Sequence, residues 1–272
     1  MSFQTILYEK LEHVALITLN RPERLNAINQ TMLSELQTAC DVIERDNDIR
    51  AVVLTGAGRT FSSGFDLKEQ AETAPTGIDV WRPILKEDFK GIMRFWYLSK
   101  PTIAAVRGHA LAGAFEMTLA CDMTIAAEDS VFGEPELKFG AGIVALLLPW
   151  HTGPKQAKEL LLTAHDQIDA ERALALGLIN KIVTTGQEVS AALKFARRMA
   201  RMNPDLMSQT KAAINRTYQI MGLDEALAMA LDVDLLIEGV GTDDKREFLA
   251  RTRKDGLRSA IVWRDSRIED ER

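Results

Sequence analysis

The sequence predicts an α/β fold followed by an all-helical C-terminal region, and three observations carry that prediction. Short apolar runs of strand character alternate with segments of helical period through the first two thirds of the chain, the pattern of a layered α/β structure. From Gln187 onward only helical patterns follow. With 272 residues, 46% of them hydrophobic, the chain can bury one large core or one domain with a helical extension.

Taken in order, Phe3–Tyr8 and Val14–Leu19 flank the polar stretch Glu-Lys-Leu-Glu-His and read as a hairpin. Met32, Leu33, Leu36, Ala39, Cys40 and Ile43 recur at helical spacing and predict a helix over Thr31–Arg45. Ile49–Leu54 is strand-like and stops at Thr-Gly-Ala-Gly, a turn signal. Glu69–Gly77 is polar, contains Pro75 and Gly77, and reads as a surface loop. Asp79–Tyr97 reads as a core-facing helix with an unusual aromatic load, of which Trp81 is also a candidate for a pocket wall. Ile103–Val106 and Met123–Ala126 are short buried strands. The C-terminal helices are expected at Val189–Arg201, Pro204–Met221, Leu223–Gly239 and Asp243–Arg253. The chain therefore divides into an α/β part, residues 1–202, and a helical part, residues 203–272.

Composition excludes several roles. A formal net charge of −6 argues against nucleic-acid binding, which shows a basic stripe, and against an anionic membrane surface. No apolar run approaches the roughly 20 residues that span a bilayer, and the mixed N-terminus reads as neither a secretory signal nor a transit peptide, so a cytoplasmic location is expected. Cys40 and Cys121 sit in apolar surroundings and read as small buried side chains. His13, His109, His151 and His165 form no metal-spaced cluster, so no metal is expected; His109 reads as a packing residue. GxGxxG and GxxxxGK[ST] are both lacking, which disfavours NAD and ATP.

Two segments carry chemistry. In HALAGAFEMTLACD (His109–Asp122), Gly113 stands three residues before Glu116 at the start of an apolar helix. Free N–H groups and the positive end of the helix dipole suit an oxygen that becomes negative during reaction. A carboxylate among Ala114, Phe115, Met117 and Leu119 is costly unless paired or used. In VFGEPELKFG, Glu136 follows Pro135; Glu134 is its rival, but side chains two apart on an extended segment face opposite sides, so one of them is expected in the pocket. Asp66 and Asp122 read as structural caps.

With RTFSSGFDLKE (Arg59–Glu69), VALITLNRPERLNAIN (Val14–Asn29) and AKELLLTAHDQIDAERALALGLINKIV (Ala157–Val183) in the same order, these motifs make the chain resemble the enoyl-CoA hydratase/isomerase, or crotonase, superfamily over about two thirds of its length. The resemblance implies a spiral of ββα units over 1–202, and a helical region over 203–272 that packs subunits into trimers or hexamers and closes the CoA site. It implies an acyl-CoA thioester substrate, no separate cofactor, and addition of water to a 2-enoyl-CoA to give a 3-hydroxyacyl-CoA. Double-bond isomerisation or C–C cleavage on the same scaffold is the alternative, and a non-catalytic binding protein is the reading from another class.

By motif position the resemblance places the oxyanion-hole N–H groups at Phe65 and Gly113, water activation at Glu116 and proton transfer at Glu136. It places CoA contacts at Arg24, Ser63, Gly64, Asp66, Leu67 and Lys68, with Phe248, Arg251, Arg253 and Lys254 as candidates on a helix of a neighbouring subunit. Trp81, Val144 and Leu147 are the candidates for the acyl pocket. Two departures stand out: Phe65 where many relatives have a small residue, and Ala141–Trp150 (AGIVALLLPW), with Val144 where a hydratase is expected to carry glycine.

Overall fold

In the computed structural model of the protein, which describes residues 2–267, β1 (Ile6–Leu11) and β2 (Val14–Leu19) pair antiparallel in the expected hairpin. Residues 268–272, the end of the predicted helical part, and residue 1 lie outside the described residues. The first strand runs three residues further than predicted because the turn tightens to Glu12 and His13, with Glu12 at φ 57°. Next come α1 (Gln30–Arg45), capped by the Asn29 side chain, β3 (Ala51–Gly56), α2 (Leu67–Thr73) and α3 (Ile78–Tyr97).

The middle of the chain forms β4 (Thr102–Val106), β5 (His109–Leu111), α4 (Gly113–Ala120), β6 (Met123–Ala127) and β7 (Val131–Gly133). After it run α5 (Leu148–His151), α6 (Pro154–Leu162), β8 (Ile168–Asp169), α7 (Ala170–Ala175), β9 (Lys181–Val183) and α8 (Glu188–Ala200). Four helices end the described chain: α9 (Pro204–Ile220), α10 (Leu223–Val240), α11 (Asp243–Asp255) and α12 (Leu257–Asp265).

Helix α2 occupies part of the segment that reads as a loop. Asp66 starts it by accepting the N–H groups of Lys68 and Glu69, at 3.1 and 3.3 Å, so a local cap outweighs the polar composition.

The strands form a large sheet in the order β1-β2-β3-β4-β6-β9, parallel from β2 onward, and a small sheet β5-β7-β8. Short bridges join Ile28 to Phe65 and Ser62 to Ala110. Each successive turn of chain thus gives one strand to the large sheet, then a short extended piece beside the small one, then a helix. This is the spiral of ββα units.

Side-chain alternation along the large sheet feeds two cores. Ala15, Ile17, Leu19, Val52, Leu54, Ala104 and Val106 face the helices of the spiral. Val14, Leu16, Ala51, Val53, Ile103, Ala105 and Ile125 face α8, which presents Ala192, Ala196 and Ala200 one turn apart. Small residues at that spacing give the sheet a flat stripe on which the helix lies close.

The C-terminal helices fold back on their own chain, with α10 packed along α3 and α11 against α2. Lys211 of α9 anchors them. It is buried, donates to the carbonyls of Phe95 and Lys100 at 3.1 Å each, and pairs with Asp122 at 2.8 Å. Among the described residues no helix is long and apolar enough to cross a membrane.

Candidate active site

A cavity of about 500 Å³ opens between the spiral and the returning helices. Its wall takes Arg24 from the turn after β2, Ser63, Phe65, Asp66, Leu67 and Lys68 from the segment entering α2, Trp81 from α3, and Glu136 and Val144 from the chain after β7. Gly64, Gly113 and Glu116 are buried and do not themselves line it, and Leu147 is fully buried in the core. Phe248 of α11 also faces the cavity, and Arg253 ties α11 to α2 by donating to the Ala71 carbonyl at 3.2 Å. Within the chain, α11 packs directly on α2 at the mouth of the cavity.

Among the described residues two backbone N–H groups at this wall are uncommitted. The bridge between Ile28 and Phe65 uses the Gly64 carbonyl and the Asp66 N–H, at 2.8 and 2.9 Å, which turns the Phe65 N–H away from that partner. Gly113 begins α4, where the first N–H groups have no carbonyl one turn back. Its position is tightly specified, since a Cβ there would stand 2.9 Å from Cζ and 3.0 Å from Cδ2 of Phe65 and nearer still to Cε2. The Phe65 ring therefore lies against the start of α4. Ala112, just before it, holds φ 56° and ψ −138°, a conformation suited to glycine.

Glu116 lies within the fully buried α4, and its Oε2 accepts the Ala145 N–H at 2.9 Å. Burial first, then the Glu136 charge, pushes its carboxyl well above the usual range. Burial likewise pushes Glu136 up to about 7. Of the two nearby glutamates Glu136 lines the cavity and Glu134 does not, as expected, yet Glu134 stays beside the group and does not face the opposite side. Glu134 is buried, and one carboxyl oxygen from each of Glu116, Glu134 and Glu136 lies within 4.8 Å of the other two.

The period-two rule fails here because Pro135 sits at φ −82°, ψ 5° and Glu136 opens a 3-10 turn, so the backbone is not extended. Burial, then the charges of Glu136 and Glu116, raise Glu134 as well. Three carboxyls this close in a dry setting cannot all be ionised, so the group holds protons at neutral pH and can both give and take one. Of the described residues these three form the one cluster spaced to hold a metal ion.

Asp66 and Asp122 are structural: Asp66 caps α2 and pairs with Arg21 at 2.9 Å, and Asp122 accepts the Thr102 N–H at 2.7 Å. His109 is exposed at the cavity wall, where packing was expected; it lies on β5, whose pattern turns it outward.

Residues that the sequence reading missed complete the wall. Buried Asn26 donates from Nδ2 to the carbonyls of Ala57, Thr60 and Phe61, stitching the loops that carry Arg24 and Ser63. Asp88, Asp234, Glu238 and Lys245 also face the cavity. Asp234 and Glu238 stand one turn apart on α10, but the helix also carries Asp224, Glu225 and Asp232, so the sequence does not single them out.

A ββα spiral whose helix start and buried carboxyls meet at one cavity defines a crotonase-fold protein. The chain belongs to the enoyl-CoA hydratase/isomerase family, which it matches over residues 9–253. It resembles a short-chain-enoyl-CoA hydratase of Clostridium acetobutylicum, with 33% identity over 269 residues, 95% of this chain and 100% of that protein. A crotonyl-CoA hydratase of Syntrophomonas wolfei is 32% identical, covering 91% of this chain and 94% of its own. A crystal structure of an enoyl-CoA hydratase/isomerase from Xanthobacter autotrophicus Py2 shares the fold with a TM-score of 0.98 at 54% identity, covering 99% of this chain and 100% of that one.

Proposed function

We propose that the protein is an enoyl-CoA hydratase that adds water across the double bond of a 2-enoyl-CoA thioester to give the 3-hydroxyacyl-CoA. The observation that carries this reading is the cluster of buried, proton-holding carboxyls beside two uncommitted N–H groups. In this mechanism the thioester carbonyl accepts from the N–H groups of Phe65 and Gly113. Negative charge builds on that oxygen as water attacks the β carbon, and each donor contributes on the order of 3 kcal/mol to the transition state. Glu116, steadied by the Ala145 N–H, takes the proton of the attacking water. Glu136 delivers a proton to the α carbon, a role suited to a carboxyl held up to about 7 by burial.

Arg24, Lys68 and the backbone from Ser63 to Leu67 receive the CoA portion, and Trp81 and Val144 flank the acyl portion. The relatives named for enoyl-CoA and crotonyl-CoA hydration support this substrate class. The helical part is proposed to pack subunits into a homotrimer or hexamer in the cytoplasm. Leu206, Ile214 and Ile220 on α9, with Met229, Val233 and Leu236 on α10, are exposed apolar residues that support such contacts.

The test is incubation with a panel of trans-2-enoyl-CoA thioesters, following loss of the conjugated absorbance and identifying products by mass. Gain of one water, reduced by about 10²–10⁴-fold in Glu116→Gln or Glu136→Gln, is the expected result. Products of unchanged mass with a shifted double bond would instead place the protein among isomerases.

A further inference from the structure

A pocket for a plain hydrocarbon chain should be lined by apolar groups. Beside the three glutamates this wall is polar instead: α3 brings Asp88, α10 brings Asp234 and Glu238, and α11 brings Lys245. Three of these groups are already engaged. Lys245 pairs with Glu238 and lies over the Trp81 ring, 4.5 Å from its centroid, which makes a neutral unit. Asp88 accepts from Gln30 Nε2 at 3.1 Å.

Asp234 differs. Only 2% exposed, it faces the cavity, and neither of its carboxyl oxygens has a hydrogen-bond partner among the described residues. Space for it is specified by Gly142, where a Cβ would stand 2.7 Å from the Asp234 Cγ and closer still to Oδ1. A buried carboxyl without partners is a costly arrangement that a bound polar group relieves.

The surroundings select the kind of group. Glu238, Glu136 and Asp88 add to the acidity around Asp234, and Lys245, the cation beside it, is already paired. An anionic acyl end, such as a carboxylate, finds Lys245 already held by Glu238, and a bare methyl leaves the Asp234 carboxyl unsatisfied. A hydroxyl can both donate to and accept from a carboxyl group. We propose that Asp234 is a specificity-determining residue that hydrogen-bonds a hydroxyl on the acyl group, so that hydroxylated enoyl-CoA thioesters are the preferred substrate class. This rests on the thioester reading above.

The experiment compares matched pairs of trans-2-enoyl-CoA thioesters, ending in methyl or in hydroxyl, over a series of chain lengths. At the chain length that reaches Asp234, the hydroxyl partner is expected to have a kcat/KM higher by roughly tenfold or more. Asp234→Leu should invert that preference, while Asp234→Asn, whose amide also donates and accepts, should keep it. Methyl favoured or equal at every chain length in the wild-type protein overturns the proposal, as does an unchanged ratio in Asp234→Leu. The wild-type comparison decides even if the leucine variant fails to fold.

Calorimetric Kd values for saturated acyl-CoA thioesters, hydroxyl- against methyl-ended, separate this proposal from the hydratase reading. Tighter, Asp234-dependent binding of the hydroxyl form without hydration of any enoyl-CoA keeps the recognition and removes the hydratase. Hydration with no discrimination in binding or turnover does the reverse.

Discussion

Gly113→Ala tests whether the Phe65 ring and the start of α4 form one rigid unit. The new Cβ would stand 2.9 and 3.0 Å from two ring carbons and nearer to a third, where carbon atoms rest at about 3.5–4.0 Å. Gly113 has no left-handed φ that would itself penalise alanine, so the whole effect comes from the ring. Either Phe65 or the first turn of α4 must withdraw by about 1 Å, and both carry a proposed carbonyl-binding N–H. A misplacement of that size can lower turnover by about 10²-fold, or about 2.7 kcal/mol in the barrier, while overpacking costs about 1–3 kcal/mol in stability.

The decisive assay is the pair of kcat/KM values, with melting temperatures, for Gly113→Ala alone and for Phe65→Ala/Gly113→Ala. Removing the ring leaves the Phe65 N–H in place, so the double variant should recover to within about tenfold of Phe65→Ala. A fully active Gly113→Ala, or a double variant as impaired as the single one, would refute the reasoning.

Three further outcomes follow from the same geometry. Ala112→Gly removes a strain of about 1–3 kcal/mol at φ 56° against an unfolded-state entropy cost of about 0.4–1 kcal/mol; it should raise Tm by a few degrees in a thermal melt. Asp88, raised from 3.8 to about 7 chiefly by burial, keeps its proton in the folded chain where the unfolded chain has lost it. Wild-type stability should therefore fall as pH rises from about 4 to about 7, by on the order of 4 kcal/mol from this group. Asp88→Asn should flatten that slope in denaturant melts, with its advantage over wild type largest above pH 7. In pH–rate profiles on a 2-enoyl-CoA, activity should decline above about 7 as Glu136 loses its proton. Val144→Gly, which admits water to a wall residue now 7% exposed, should move that limb toward lower pH; a limb that stays put would show that burial by Val144 is not its cause.

What was legible in the sequence was local. Gly113 and Glu116 could be paired because both lie within one turn of the same helix start, and the strands of the large sheet could be placed because each is a short apolar run with a turn signal near it. The hairpin turn and α2 were misjudged where a single residue decides the backbone: Glu12 at positive φ in one case, the Asp66 cap in the other. Glu136 alone of its pair lines the cavity, as the sequence suggests, but Glu134 remains close to it because alternation holds for extended backbone, and Pro135 is not extended. The polar wall was out of reach for a different reason. Asp88, Asp234 and Lys245 lie on three helices far apart in the chain, and each alone reads as an ordinary surface charge. Only the packing of α10 on α3 and α11 on α2 brings them to one cavity.

The aliphatic segment after Gly140 illustrates how a departure in sequence can leave a site's chemistry in place. Glu116 is held by the backbone N–H of Ala145, and a backbone donor does not depend on whether its neighbours are glycine or valine. What Val144, Ala145 and Leu147 change is the medium: all are buried, and burial is the largest cause of the raised carboxyl of Glu116 and of Glu136 alike. A glycine-rich turn would leave room for water to stabilise the ionised forms; this segment raises the cost of ionising them, so the cluster shares protons, and an ionised Glu116, steadied by the Ala145 N–H, is a strong base. The same dryness raises the cost of leaving Asp234 without a partner. Excluding bulk water and demanding a polar group on the acyl chain are therefore two consequences of one packing choice. The single water that hydration requires must arrive as a reactant held by Glu116, and not as part of a solvated pocket.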